Sequence, residues 1–402
     1  LIYEATDAEV INDVEEIDGI HPLYYGPFDS AVIHAFTLEN SVVSIPDFFL
    51  KDSLSQIGEL DLHVSDVGAY AFSGENIYIG KLTLGKEIET FYQTNEENEN
   101  YQYWEQFSNT TIGEVYYEVV SLILEEEVGE DRNCYGPFFR STIGHLYLSD
   151  EVRRYPAYCF LEAYLEQEEL EIHAESIGVR AFSGKHISIG ILTIGKEVQT
   201  FEYIDRGYST YFRQFMDCTI EKLVYLPVCA ETWEKCSQGV FDTATIGSLV
   251  IDPMVEKIPN YLFLNIVMEM EDFIVNVPEI GYQSFASEEI TFGKLTIGEN
   301  VTVFGTDSSS RNQAFSKNTI GMLYYLPPSA QLESFSGTAY GPFSSNTQIN
   351  GLVIGDNVEV IPYGCFRDAK MELTELVMEK ADIGYAAFSS SKIHIGTLHI
   401  GN

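Results

Sequence analysis

The chain is predicted to fold as a solenoid of about 16 stacked turns, with a parallel β-sheet on one face and short turns or irregular 3-10 segments on the other. Three observations predict this. First, the segment VGAYAFSGENIYIGKLTLGKEIETF at 67–91 returns as IGVRAFSGKHISIGILTIGKEVQTF at 177–201, as IGYQSFASEEITFGKLTIGENVTVF at 280–304, and as IGYAAFSSSKIHIGTLHIGN at 383–402. Second, with Leu82, Leu192, Leu295 and Leu398 taken as equivalent, the steps are 110, 103 and 103 residues, which define four super-repeats. Third, each super-repeat carries four short L-x-L strands, whose outer residues face the core because side chains alternate across a strand. Self-similarity over the whole length makes residues 1–402 one elongated domain, where the 402 residues alone would suggest two or three globular ones.

The strands fall into four types in chain order. The first follows a Tyr-Gly-Pro-Phe-like turn (25–28, 135–138, a degraded 239–241, 340–343) and comprises Phe36-Leu38, Leu146-Leu148, Leu249-Ile251 and Leu352-Ile354. The second is Leu60-Leu62, Leu170-Ile172, Phe273-Val275 and Leu376-Met378; the third begins at Leu82, Leu192, Leu295 and Leu398. The fourth is Val115-Tyr117, Leu223-Tyr225 and Leu323-Tyr325, and the opening Leu1-Ile2-Tyr3 fits the same pattern. First to second is 24 residues in every copy and second to third is 22, whereas third to fourth runs 33, 31 and 28 residues. Insertions are therefore confined to the connections that flank the fourth strand. A chain that starts on a fourth strand and stops just past a third shows no capping segment, so a piece of a longer protein is expected, with its signal and anchor outside it.

Between the strands, a Phe recurs about eight to twelve residues ahead of each strand, as at Phe28, Phe72, Phe107, Phe138, Phe182, Phe215, Phe241, Phe285, Phe315, Phe343 and Phe388. Such rings are expected to stack and fill the interior. Ile-Gly pairs such as Ile112-Gly113 and Ile177-Gly178 are expected to turn the chain through a tight corner or a positive φ angle. Pro46, Pro156, Pro259 and Pro362, each ten residues into a first-type unit, fix an extended corner.

Composition narrows the function. Against 62 Asp and Glu stand 22 Lys and Arg, a formal charge of −40, so nucleic acid and anionic membrane surfaces are poor partners. No apolar run is long enough for a transmembrane helix, and direct membrane insertion is not expected. The acidic runs at 95–100, 125–131 and 166–169 lack calcium-loop spacing, and no metal or cofactor is assigned. The six cysteines do not recur in register; Cys229 and Cys236, seven apart in one insertion, are either a disulfide or two free thiols. No nucleophile elbow, metal-ligand pair or phosphate loop is present, and the eight histidines are dispersed, so the chain is not expected to be an enzyme.

The pattern I-G-x-x-A-F, a small or polar stretch, then L-x-I-x-x-x-V-x-x-[FI] resembles the BspA-like leucine-rich repeat family of bacterial surface proteins, also seen in some parasitic protists. Residues 177–201 carry it best, in Ile177, Gly178, Ala181, Phe182, Leu192, Ile194, Val198 and Phe201. The chain departs from the family pattern where Ser, Gly or Lys replaces the usual Cys or Asn after the A-F pair, and where Ile-Gly or Leu-Gly replaces Ile-Pro after the strand. The resemblance implies a leucine-rich-repeat solenoid that is secreted or displayed at the cell surface, and a non-enzymatic scaffold for protein or glycan ligands in adhesion.

Two surfaces are candidates for such a ligand. The open sheet face, read from the middle residues of the strands, carries Thr83, Thr193 and Thr296 with Tyr116, Tyr147 and Tyr324. The insertions at 92–106, 118–133, 202–211, 226–238, 305–311 and 326–338 hold both tryptophans, Trp104 and Trp233, with Tyr101, Tyr103, Tyr208 and Tyr211. Aromatic loops on a fixed frame suit recognition; local packing that orders long loops is the alternative. The alternative function is a structural spacer or surface coat of a larger cell-wall protein.

Overall fold

The computed structural model describes all residues except 1, 4–25, 35, 40, 93–100, 125–132, 206–209, 232–235, 237, 335–339, 380 and 402. It divides into two units, Leu1–Gly190 and Ile191–Asn402. In the first, Val32–Ile33, Leu54–Leu62, Ile77–Leu84, Thr111–Tyr117, Thr142–Leu148 and Tyr164–Ile172 lie side by side in that order, every pair parallel. The opening Ile2–Tyr3 pairs in parallel with Thr37–Leu38, so the chain does begin on a fourth-type strand. In the second unit the order is Thr219–Tyr225, Thr245–Ile251, Val267–Val275, Ile290–Ile297, Thr319–Tyr325, Gln348–Ile349, Lys370–Met378 and Ile393–Ile400. The described residues contain no helix of any kind. Each unit is thus a stack of chain-ordered parallel strands, a repeat solenoid.

The strands are longer than the L-x-L triplets. In Thr111–Tyr117 the buried residues are Ile112, Val115 and Tyr117, so an earlier arm precedes the triplet and the spacing slips by one at Gly113. That slip explains the glycines. A Cβ on Gly113 would lie 2.4 Å from the Gly80 carbonyl oxygen, one on Gly144 2.4 Å from that of Gly113, and one on Gly80 2.5 Å from that of Gly58. The Ile-Gly glycines therefore serve close approach between stacked turns, and of the two expected roles, a tight corner or a positive φ, they do not take the second: among the described residues the positive-φ glycines are Gly74, Gly184 and Gly364.

Beside the expected short turns, such as those at 69–72 and 137–140, a second, narrow ladder runs. In the first unit Ser44–Ile45, Asp66–Val67, Thr90–Phe91 and Ile123–Leu124 pair in parallel; in the second, Lys257–Ile258, Glu279–Ile280, Val303–Phe304 and Gln331–Leu332 do so. Each proline corner directly follows a two-residue strand of this kind, and Pro46, Pro156 and Pro362 each meet a glycine of the next turn. A Cβ on Gly178 would stand 2.6 Å from the Pro156 carbonyl carbon, and one on Gly384 2.7 Å from that of Pro362. Proline in one turn and glycine in the next must keep step, which accounts for the constant spacing between first-type and second-type units.

The expected phenylalanine column fills each interior. Phe72, Phe107, Phe138, Phe160 and Phe182 stack with ring centres 5.0–5.5 Å apart. In the second unit the column runs through Phe215, Phe241, Phe263, Phe285, Phe315, Phe343, Phe366 and Phe388. Offset-stacked rings contribute roughly 0.5–1.5 kcal/mol per pair beyond the area they bury.

Candidate functional site

The frame leaves the outward-pointing sheet residues free of packing duty. In the first unit two rows cross four strands. One pairs Glu59, Lys81, Glu114 and His145; the next pairs Asp61, Thr83, Tyr116 and Tyr147. Neighbouring strands lie about 4.8 Å apart, close enough for these side chains to engage one another. Lys81 Nζ donates to Glu59 Oε1 at 2.6 Å and lies 5.2 Å from the centre of the Tyr116 ring. The Tyr116 hydroxyl donates to Glu114 Oε2 at 3.1 Å. Tyr116 and Tyr147 stack at 4.6 Å with their planes 17° apart, and Tyr147 remains 44% exposed.

Charge reinforces the arrangement. The hydrogen bond to Glu59 raises the Lys81 ammonium above its ordinary value, and the bond to Glu114 raises the Tyr116 phenol. At neutral pH the strip therefore presents a fixed cation, a neutral phenol and two stacked rings. A Lys, its carboxylate and a Tyr recur in the second unit. Lys294 Nζ donates to Asp272 Oδ2 at 2.8 Å and lies 5.6 Å from the Tyr324 ring centre, and Thr296 stands between Ile274 and Tyr324. Thr193, on Ile187–Ile194, is half-buried, while Thr83 is nearly covered. Thr193 and Thr296 are part-exposed like Tyr116, Tyr324, Lys81 and Lys294, so of the threonines only Thr83 is withdrawn from this face.

The insertion surface differs from expectation. Trp104 is 0% exposed, and its backbone is part of the turn ladder: its N–H donates to the Tyr135 carbonyl and its carbonyl accepts from Tyr70. It is a core residue, and its indole Nε1 has no partner among the described residues. Tyr211 is likewise buried, beneath the Arg213 guanidinium. Both fill the interior where the insertion rejoins the frame. Trp233 and Tyr208 lie outside the described residues; Tyr101 and Tyr103 lie on the strand Tyr101–Tyr103, with side chains outside them. Cys229 and Cys236 are free thiols, not a disulfide.

Sequence reasoning missed the groups that anchor these insertions. Gln106 Nε2 donates to the Tyr92 carbonyl at 2.8 Å, Gln214 Nε2 to that of Glu202 at 2.6 Å, and Asn312 Nδ2 to that of Gly305 at 2.6 Å. All three amides are buried, Gln106 and Gln214 directly before a column Phe and Asn312 three residues before Phe315, and the amides preceding Phe107 and Phe215 were the available signal. His63 bonds Glu87 at 3.0 Å and His173 bonds Glu171 at 3.2 Å, both in exposed positions. Among the described residues no three His, Cys, Asp or Glu side chains converge as metal ligands, and no helix is long and apolar enough to cross a membrane.

A family model described as BspA type leucine rich repeat region matches this chain in six copies, over 133–205, 212–320 and 308–394. A crystal structure of a leucine-rich repeat protein from Bacteroides ovatus ATCC 8483 is similar over 92% of this chain and 82% of that one, at 10% identity and a TM-score of 0.36. No curated protein matches.

Proposed function

The chain belongs to the BspA-type leucine-rich repeat family, and from that premise we propose that it is a non-enzymatic scaffold, displayed outside the cell, that binds a protein or glycan ligand in adhesion. The observation that carries this reading is the Lys81, Tyr116 and Tyr147 strip. Stacked, part-exposed tyrosines on a rigid sheet offer contact area at small entropic cost, the property that makes tyrosine a frequent hot spot. The local cation gives the strip polarity in a chain whose charge of −40 repels other acidic surfaces. The family carries no catalytic chemistry, and the chain contributes shape and side chains alone.

The test is an array of host matrix proteins, mucins and glycans probed with the purified chain at physiological salt, with and without calcium. Saturable binding is expected, weakened at least tenfold by Tyr116→Ala combined with Tyr147→Ala in a protein whose circular dichroism is unchanged. Silence across the array from a folded chain would instead support a structural spacer within a larger surface protein.

A further inference from the structure

A second site stands apart from the sheet strip. Glu75, Asn109, Arg140, Glu162, Tyr164 and His186 line a groove of about 440 Å³ in the first unit, within the range of small-ligand clefts, roughly 300–1,000 Å³. One wall is a column of consecutive turns. Asn109, Arg140 and Glu162 occupy successive left-handed positions, at φ 57°, 55° and 54°. The other wall is aromatic: Tyr164, 44% exposed, stacks on His186 with ring centres 4.3 Å apart and planes 21° apart. On its other side Tyr164 pairs with Thr142, a side chain too short to cover a ring.

The polar groups of this groove are not engaged with one another. Among the described residues, Glu75, Asn109, Glu162 and His186 make no side-chain hydrogen bond or ion pair, and Arg140 only covers the Phe139 ring at 4.8 Å. They supply two carboxylate acceptors, one amide, one guanidinium and one imidazole around an exposed ring. The set is also particular to one super-repeat. Two residues past the turn Phe, where this copy has Arg140, the others have Ser30, Thr243 and Ser345; where it has Glu162, they have Asp52, Asn265 and Asp368. Left-handed positions favour short or Asx side chains, so the frame itself does not call for Arg and Glu here. Tyr164 and His186 replace Leu54 and Asn76, Val267 and Glu289, and Lys370 and Lys392. Residues that depart from the repeat at four neighbouring positions, all facing one concavity, are placed for a ligand.

We propose that this groove binds a neutral pyranose unit of a glycan, with the apolar face of the sugar on Tyr164 and its hydroxyls shared among Glu75, Asn109, Arg140, Glu162 and His186. Hydroxyls donate and accept at once, and suit a lining that mixes carboxylate, amide and guanidinium. An anionic ligand would meet two carboxylates within a strongly acidic chain, and the exposed Tyr164 ring favours a ligand with an apolar face. The groove names a ligand class and a second place for it, beyond the sheet strip.

The experiment is saturation-transfer NMR and calorimetry on the whole chain with lactose, maltotriose, mannobiose and N,N′-diacetylchitobiose, with 3′-sialyllactose as the acidic comparison. At least one neutral sugar is expected to bind at millimolar concentration, tenfold or more weakly to Tyr164→Ala and to Glu162→Gln, and unchanged in Tyr385→Ala, an exposed tyrosine of the second unit that belongs to neither candidate surface. Tyr164 is exposed, so its variant keeps the fold; amide exchange spectra check this. The proposal is overturned if no neutral sugar binds the folded chain, if Tyr164→Ala binds as well as the parent, or if only the sialylated probe binds. Loss on Tyr116→Ala alone would support the sheet strip and sink the groove, so the two readings fail separately.

Discussion

Tyr225 ends the strand Thr219–Tyr225, fully buried, with its ring 6.2 Å from Phe263 in an edge arrangement. Its hydroxyl has no hydrogen-bond partner among the described residues, and burial raises the phenol well above its ordinary value of 10.0. A desolvated hydroxyl left without a partner costs about 1–3 kcal/mol, while a satisfied one contributes about 0.5–1.5 kcal/mol. Tyr225→Phe keeps the ring, its volume and its contact with Phe263. It should therefore raise stability by about 1–3 kcal/mol. Urea unfolding followed by circular dichroism reads the change as a shift in midpoint at constant slope. Native-state hydrogen exchange at the amides of Thr219–Tyr225 reads it locally, should the unfolding have more than one step. Tyr325 is the same residue one super-repeat later, also buried and unpartnered. Three strands separate the two in the sheet order, about 19 Å of stacking, so the two gains should add to within about 0.5 kcal/mol. A loss of about 0.5 kcal/mol or more from Tyr225→Phe would refute the reasoning, because it would mean that the hydroxyl is satisfied. The sign also fixes an alkaline limb. The folded phenol holds its proton more tightly than the unfolded one, so the stability it contributes is whole below pH 10.0 and declines as pH rises further. The slope is about 1.4 kcal/mol per pH unit for each such group, and Tyr225→Phe should remove its own share of a limb to which the buried phenols of Tyr117, Tyr155 and Tyr325 also contribute.

Gly113→Ala would place a methyl 2.4 Å from the Gly80 carbonyl oxygen and should destabilise by about 2 kcal/mol or more. Gly58→Ala, with nothing within 4 Å of the new Cβ, should be neutral or stabilising by about 0.5 kcal/mol; equal losses at both sites in urea unfolding would contradict the close-approach account. Phe160→Ala removes a ring stacked at 5.0 Å on Phe138 and 5.2 Å on Phe182 and should cost about 3–5 kcal/mol, measured in the same way. The His63 hydrogen bond lowers the Glu87 carboxyl below its ordinary 4.5. Its stabilisation is therefore present above pH 4.5 and is lost as pH falls through the depressed value. Both side chains are about half exposed, so the effect is small; NMR titration should show the Glu87 midpoint return toward 4.5 in His63→Ala.

What the sequence disclosed follows from what stacking constrains. A residue whose neighbours above and below are copies of itself must keep its size and period, so the L-x-L triplets, the Phe column and the proline corners were legible. Tyr116 and Tyr147 were legible as outward residues by alternation alone. Trp104 was not, because the variable spacing before Phe107 makes its segment read as loop. Counting back three residues from the column Phe finds Ala69, Val179, Phe212 and Tyr282, all buried; Trp104 stands in that series. The second ladder was hidden for another reason: two-residue strands such as Ser44–Ile45 are too short to show alternation, and only their pairing partners in the next turn define them.

The same constraint separates frame from function. Core positions answer to the turns on either side, glycines to a carbonyl about 2.4–2.8 Å from their missing Cβ, and prolines to the glycine of the following turn. Most middle sheet residues, and the left-handed positions two residues past a column Phe such as Asn109, Arg140, Thr243 and Asp368, face outward, unlike the buried left-handed Phe48, Tyr158 and Tyr261. A mutation at the outward positions costs the fold little, so selection for a ligand acts on them most freely. In the first unit they hold residues with no structural requirement behind them: Lys81, Tyr116 and Tyr147 on the sheet, and Arg140, Glu162, Tyr164 and His186 at the groove. Exchanging Arg140, Glu162, Tyr164 and His186 together for Ser, Asp, Leu and Asn, the residues of the first super-repeat, should leave stability within about 1 kcal/mol while abolishing sugar binding. A collapse in stability would mean that these side chains belong to the frame after all.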